Sequence, residues 1–408
     1  MATPPVSGDV LATIAPDAAG FCSDRLARIR SVFDREVAER RLPGAVFAVA
    51  RGGRLVLHDA VGYRDASTSQ PMPLDAVFSI ASMTKPMVSV AAMQLVEEGH
   101  IALGDPVGDY LPALQDLTVA QADADGGYSF VPADRPPAVL DLLRHTSGFT
   151  YQGRGTTPAH QRSPGSSMAA SVRLAREDFL AALSDAPLLY HPGRAWEYGF
   201  STDVLGHVTE AVDGGGLDRV LAQRIWQPLG MVDTGFVLSD EKQRRYALAF
   251  PTDPLTGETV EVLHASGAVP QWYSGGGGAV STALDYLRFL EMMRGRGRLG
   301  ADRVLSRMTV DMMTADQLGD DVVNRVGTMD AIANGYGFGL GFAVRYQDGG
   351  SGLYGRAGDY HWSGVYGGHF WVDPQEELSV VFLAAIPSLL RRRYRQLMRA
   401  LVYQALID

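Results

Sequence analysis

The residues best suited to do chemistry lie in Ser79-Ile80-Ala81-Ser82-Met83-Thr84-Lys85-Pro86. Ser82 and Lys85 stand three positions apart, and residues three apart share a helix face. Ser82 Oγ and the Lys85 amine can therefore meet. Such a pair is a nucleophile and its base: a neutral lysine takes the serine proton and frees the oxygen to attack a carbonyl carbon. Val77, Phe78, Ile80 and Ala81 precede the pair, and Met87 and Val88 follow it. An apolar setting disfavours an ammonium, so a Lys85 pKa pulled downward is expected. The start of a helix adds positive potential, which acts the same way and suits a developing oxyanion.

Ser-x-x-Lys is a short signal, and the chain holds a second copy, Ser239-Asp240-Glu241-Lys242. Charged neighbours Arg244 and Arg245 mark that copy as a solvated turn with an inert, protonated lysine. These are the only two lysines among 36 Lys+Arg. Arginine does not deprotonate in a protein, so a lysine kept at 85 fits a base. Compositional bias gives the same count, and the pair alone does not fix a function.

The elements that must position the pair can be read from period and punctuation. Residues 23–41 carry a helical stripe of Leu26, Ile29, Phe33 and Val37, with Ser23 as N-cap and Pro43 beyond the end. Residues 46–50 and 55–57 flank Arg51-Gly52-Gly53-Arg54, which predicts a β-hairpin. The Ser82 helix is expected to run to Glu98 and stop at Gly99. Residues 103–112 read as an extended loop, and the chain to about residue 270 as irregular and helical, with helices at 139–143, 176–183 and 203–212. Residues 152–167 are rich in Gly, Pro, Ser and Thr and read as a mobile surface loop. Four glycines at 275–278 precede a helix at 283–293. No Lys-Ser/Thr follows them, so a close backbone approach beside a cleft fits better than phosphate binding. Residues 338–345, 364–372 and 378–385 read as strands. A terminal helix follows, with Arg391, Arg392, Arg393 and Arg395 on its solvated face.

Composition narrows the class. Of 408 residues, 46% are hydrophobic and 20% charged, as in ordinary globular proteins. A net charge of −10 argues against nucleic acid and anionic membranes as partners. The single cysteine, Cys22, permits no intrachain disulfide, and a reducing compartment is natural. Met1-Ala2-Thr3-Pro4-Pro5 lacks the basic start and apolar run of a signal peptide, and no stretch approaches the ~20 apolar residues of a membrane span. A cytoplasmic location is expected. Nine histidines show no His-Glu-x-x-His, and His361 and His369 read as structural; no metal is expected.

Seven stretches agree in order: Phe78 through Lys85, residues 103–112, Leu142-Leu143-Arg144-His145-Thr146-Ser147-Gly148-Phe149, Tyr198-Gly199-Phe200-Ser201-Thr202-Asp203-Val204-Leu205-Gly206, Pro228-Leu229-Gly230-Met231-Val232-Asp233-Thr234, residues 274–289 and Trp362-Ser363-Gly364-Val365. Together they resemble the serine β-lactamase-like superfamily, specifically its class C β-lactamase and family VIII carboxylesterase branch, over about residues 25 to 385. The resemblance implies Ser82 as acylated nucleophile, Lys85 as its base and Tyr198 as second base. It implies an oxyanion hole from the backbone N–H groups of Ser82 and Val365. It implies substrate contacts by Phe200, Trp362, Ser363 and Gly364. Two departures bear on substrate. Phe200 stands where the β-lactamases carry the Asn of Tyr-x-Asn, and Trp362 where they carry the lysine of Lys-Thr-Gly. Losing two polar handles lowers discrimination for β-lactams. There is no Gly-x-Ser-x-Gly, against an α/β-hydrolase.

The expected fold is α/β of the α+β type: an antiparallel sheet from both chain termini, flanked by helices, with an inserted helical domain. Residues 1–85 and 271–408 would form the sheet domain and 86–270 the helical one, with the site in the cleft between. The expected activity is hydrolysis of short-chain esters without cofactor. A β-lactamase or D-amino-acid peptidase, a nylon-oligomer-type amide hydrolase and an acyltransferase share the same machinery, and a non-catalytic ligand-binding relative stands outside it.

Overall fold

The computed structural model describes residues 11–260, 264 and 269–407; residues 1–5, read above for a signal peptide, lie outside these. Helix α1 (Arg28–Ala38) leads into strands β1 (Gly44–Arg51) and β2 (Arg54–Asp65). Their turn uses Gly52 and Gly53 at φ +57° and +82°, which glycine adopts without strain, so the expected hairpin forms. β3 (Gln70–Pro71) and β4 (Phe78–Ser79) follow, then helices α2 (Thr84–Glu97) and α3 (Ser201–Asp213). β5 (Val280–Ser281) precedes helix α4 (Ala283–Arg294). The last part holds β6 (Tyr336–Phe338), β7 (Ala343–Arg345), β8 (Tyr360–Ser363), β9 (His369–Asp373), β10 (Leu378–Ala384) and helix α5 (Leu390–Tyr403).

Eight strands form one antiparallel sheet in the order β6-β7-β8-β9-β10-β1-β2-β3. β1 pairs with β10, Val46 opposite Leu383 and Ala48 opposite Val381, so both ends of the chain meet at the centre of the sheet. Both faces of β1 are covered, which explains its unbroken apolar run. Ala45, Phe47 and Val49 pack with Phe33 of α1 and Tyr394 and Met398 of α5. Val46, Ala48 and Ala50 join the core that contains Tyr286 and Phe289 of α4. β4 and β5 pair separately, under the start of α2. α2 is apolar around most of its circumference and is buried from Thr84 to Met93, as expected of a central helix. No described helix is long and apolar enough to cross a membrane.

Several expectations change. Residues 364–372 are not one strand. Gly364 N donates to Gly368 O at 2.8 Å and Gly367 sits at φ +115°, so the chain turns between β8 and β9. Residues 338–345 split into β6 and β7 around Gly341 at φ +100°. Residues 103–112 contain a helical turn, Val107–Tyr110, and 152–167 contain Pro158–Arg162. A hairpin of Thr118–Ala122 and Tyr128–Pro132 was not anticipated. Cys22, not Ser23, occupies the N-cap, and Ser23 Oγ donates instead to Asp17 Oδ2 at 2.6 Å. Ser239 caps the exposed helix Asp240–Arg245 by accepting from Lys242 N, so the second Ser-x-x-Lys is a helix start on the surface.

Candidate active site

Ser82 lies in a 3₁₀ turn, Ala81–Met83, immediately before α2. Ala81 takes φ +47°, which a residue with a Cβ rarely adopts. Such a conformation costs ~1–3 kcal/mol and persists only where surrounding bonds impose it. Those bonds are present. Ile80 N donates to Ala279 O at 3.1 Å, Thr84 Oγ1 to Ala81 O at 2.7 Å and Tyr286 OH to Met83 O at 2.8 Å.

Lys85 is buried in the first turn of α2. Its Nζ donates to the Gly276 carbonyl, to Tyr151 OH at 3.4 Å and to Ser82 Oγ at 3.5 Å. Three acceptors match the three protons of an ammonium. Burial works against that charge, but the oxygens of Tyr151, Tyr198 and Asp203 outweigh it and hold the Lys85 pKa above its ordinary value. The expected downward shift is therefore reversed: the apolar neighbours in sequence are accompanied by oxygens from distant segments. Burial also raises the Tyr151 phenol, which stays protonated at neutral pH.

Tyr151 opens a chain of hydrogen bonds. Its OH meets Ser167 Oγ at 2.7 Å, and Ser167 Oγ donates to Asp203 Oδ2 at 2.5 Å. Asp203, buried in the first turn of α3, also accepts from Ser274 Oγ at 2.6 Å and Gly276 N at 2.9 Å. Gly276 returns the chain to Lys85 through its carbonyl. A Cβ at Gly276 would meet Asp203 Oδ2 at 2.3 Å and Ser167 Oγ at 2.4 Å. The glycine run thus serves a close backbone approach. Sequence reasoning gave no role to Tyr151, Ser167 or Asp203. A carboxylate in the first turn of a helix was the one available signal; Tyr151 and Ser167 border an irregular loop that has no period to mark them.

Tyr198 stacks its ring beside this cluster, with Lys85 Nζ 4.7 Å from its centroid. Its ring centroid is 5.3 Å from that of Trp362 and 5.7 Å from that of Tyr151. Its OH is buried and has no hydrogen-bond partner. Trp362, on β8, is buried against Tyr198 and Phe338, and Ser363 ends the strand half-buried. Gly364 presses on the nucleophile turn: a Cβ there would lie 2.5 Å from Ile80 O and 3.4 Å from Ala81 Cβ. Val365 begins the turn beyond it with its side chain 50% exposed. Phe200 is placed differently from expectation. It is 0% exposed and packs on Tyr151 and Phe179, so it shapes the site only through Tyr151. The reason is its position at the start of α3, facing the helical core.

His361 and His369 face each other across β8 and β9 with ring centroids 5.5 Å apart, and burial keeps both neutral. Among the described residues no group of three or more His, Cys, Asp or Glu is placed to hold a metal ion.

A sheet closed by both chain ends, with Ser82 at the head of a central helix beside it, defines the β-lactamase and penicillin-binding fold class. The chain belongs to the Beta-lactamase family, whose profile matches residues 29–404, and so to the hydrolases of the serine β-lactamase-like superfamily. It is 34% identical over 382 residues to esterase EstB of Burkholderia gladioli, covering 88% of this chain and 89% of that one. It is 30% identical over 340 residues to a lovastatin esterase of Penicillium rubens, covering 76% and 81%. The solved structure of EstCE1, described as a hydrolase with promiscuous acyltransferase activity, matches with a TM-score of 0.76 at 29% identity, covering 93% of this chain and 99% of that one.

Proposed function

We propose that the protein is a serine carboxylesterase that hydrolyses short-chain esters through an acyl-enzyme on Ser82. The observation that carries this reading is the meeting of Ser82, Lys85 and Tyr198 beside the β8 turn. Substrate enters between the helical part, residues 86–270, and the sheet part, residues 1–85 and 271–408.

Lys85 already holds a full set of acceptors, so it acts as a fixed cation rather than as the resting base. Tyr198, whose ring lies beside that cation and whose OH has no hydrogen-bond partner, is the general base that takes the Ser82 proton. Ser82 Oγ attacks the ester carbon, and the carbonyl oxygen becomes an oxyanion held by the N–H groups of Ser82 and Val365. Collapse breaks the bond to the alcohol oxygen, which leaves with the proton from Tyr198. Water then gives a proton to Tyr198 and attacks the acyl carbon. The second collapse frees the acid and returns the proton to Ser82. The Tyr151–Ser167–Asp203 chain supplies the negative charge that balances Lys85. No cofactor enters any step.

The apolar Trp362 packed on Tyr198 favours small apolar acyl groups, and the two relatives named as esterases support an ester over a β-lactam. In the test, Ser82→Ala abolishes ester hydrolysis and the mass shift seen with a slowly deacylating ester; a fully active variant overturns the assignment. A short p-nitrophenyl ester is turned over much faster than a chromogenic cephalosporin, and the reverse order would make the protein a β-lactamase. The name of EstCE1 favours a second outcome of the same acyl-enzyme, transfer to an alcohol in place of water. Ester product formed from an added alcohol would reveal it.

A further inference from the structure

Arg395 breaks the pattern of its helix. Other arginines of α5 have carboxylate partners: Arg392 and Arg393 pair at the surface with Asp330 at 3.9 Å and Glu36 at 3.2 Å, and the buried Arg399 pairs with Asp359 at 3.2 Å. Arg395 turns toward the sheet. Its Nη2 donates to the Gly364 carbonyl at 2.7 Å, and its Nε is buried without a hydrogen-bond partner. Among the described residues no carboxylate pairs with it at salt-bridge distance. Burial, then Arg391, opposes its charge and pushes its pKa down to about 9, which leaves it a cation at neutral pH. A cation held on a backbone carbonyl with no carboxylate in contact is costly, so the carbonyl's own role matters.

That carbonyl belongs to the peptide unit whose N–H is Val365's. The unit is planar and trans, so its N–H points away from its C=O. Gly364 O also accepts from Gly367 N at 3.2 Å, and Gly364 itself rests on the Ile80 carbonyl two residues before Ser82. Arg395 therefore grips one side of the peptide whose other side carries the Val365 N–H.

We propose that Arg395 is a positioning residue for the oxyanion hole: it orients and polarises the Gly364–Val365 peptide so that the Val365 N–H binds the transition-state oxyanion. The inference rests on the acyl-enzyme reading above. A charged donor on the carbonyl draws electron density toward oxygen and leaves the amide proton more positive. Hydrogen bonds in series reinforce one another by about 10–30% each. The gain grows with charge on the substrate oxygen, so it falls on kcat rather than KM.

The test compares wild type, Arg395→Met and Arg395→Lys with a p-nitrophenyl ester and with an acyl-enzyme trapped by a slow ester. Removing a whole oxyanion donor costs roughly 10²–10³ in kcat, and weakening one is expected to cost about tenfold. Arg395→Met should lower kcat by about that factor with KM nearly unchanged. The infrared carbonyl band of its acyl-enzyme should move to higher wavenumber, as a weaker hydrogen bond requires. Arg395→Lys should restore most of both. If Arg395→Met does not fold, Arg395→Gln keeps a neutral donor on the carbonyl, and a smaller shift of the same sign is expected. Wild-type kcat and an unmoved band in a folded Met or Gln variant overturn the inference alone. Absence of any acyl band in the wild type overturns the reading beneath it as well.

Discussion

Lys85 is where sequence and structure diverge most usefully. Its neighbours in the chain are apolar, and from them alone its amine is expected to be neutral. The oxygens that reverse this come from residues 151, 203 and 276, far along the chain. Ser82 and Lys85 were legible because their spacing is local; the ammonium was not, because its acceptors are not. Two phenols now compete for the role of base, and their surroundings separate them. Tyr151 OH is bonded to Ser167 and to Lys85, whereas Tyr198 OH is buried and unpaired. Tyr198→Phe should therefore lower kcat by ~10²–10⁴, the range for loss of a general base. Tyr151→Phe keeps the ring against Phe200 and Tyr198 and removes one acceptor of Lys85 and the hydrogen bond to Ser167, so about a tenfold loss and ~1–2 kcal/mol of stability are expected. Steady-state kinetics on one ester decide it: equal losses in the two variants would take the base role away from Tyr198 alone.

At the scale of elements, regular period was readable and tight turning was not. β1 and β2 announced themselves by apolar runs around Gly52 and Gly53, and α2 by its length and the stop at Gly99, which takes φ +76°. The β8–β9 turn was hidden because Gly364 through Gly368 lie between aromatic residues that read as one strand. That turn seats Gly364 against Ile80 and Ala81, just before Ser82. Gly364→Ala tests its fit. The new Cβ would lie 2.5 Å from the Ile80 carbonyl, a backbone atom that cannot swing aside. Overpacking of this kind costs ~1–3 kcal/mol, and here it levers the turn away from the nucleophile. The expected outcome is a protein that folds with a slightly lower unfolding midpoint but loses at least tenfold in kcat. A variant with lowered stability and full kcat would show that the turn's seating does not matter to the reaction.

At the scale of the molecule, helix α5 is the last described helix in sequence, and its side chains tie it to distant segments. Arg399 joins Asp359 and Tyr336 in a buried cluster with Arg345, Arg395 holds Gly364, and Arg393 and Tyr394 reach Glu36 of α1. The two-ended sheet was legible from strand periods at both ends of the chain. These ties were not, since Glu36 and Arg393 are 357 positions apart and nothing local couples them. Glu36 gives the whole-molecule test. It is fully buried and accepts from Arg41 Nε at 2.7 Å, Arg393 Nη2 at 3.2 Å and Tyr394 OH at 3.3 Å. The Arg41 hydrogen bond holds its carboxyl below the ordinary 4.5, against the opposing pull of burial. A carboxyl depressed in the folded state contributes stability that is present above its unfolded value and lost as pH falls through the folded one. Glu36→Gln removes that contribution, so at pH 7 the variant should be less stable by ~1.5–3 kcal/mol, the range for hydrogen bonds to a charged group. Below about pH 4.5 the wild type progressively loses the same charge, and the two stability curves should converge. Urea unfolding at a series of pH values measures the gap. A gap that stays constant down to pH 3 would mean that Glu36 joins α1 to α5 through packing rather than through its charge.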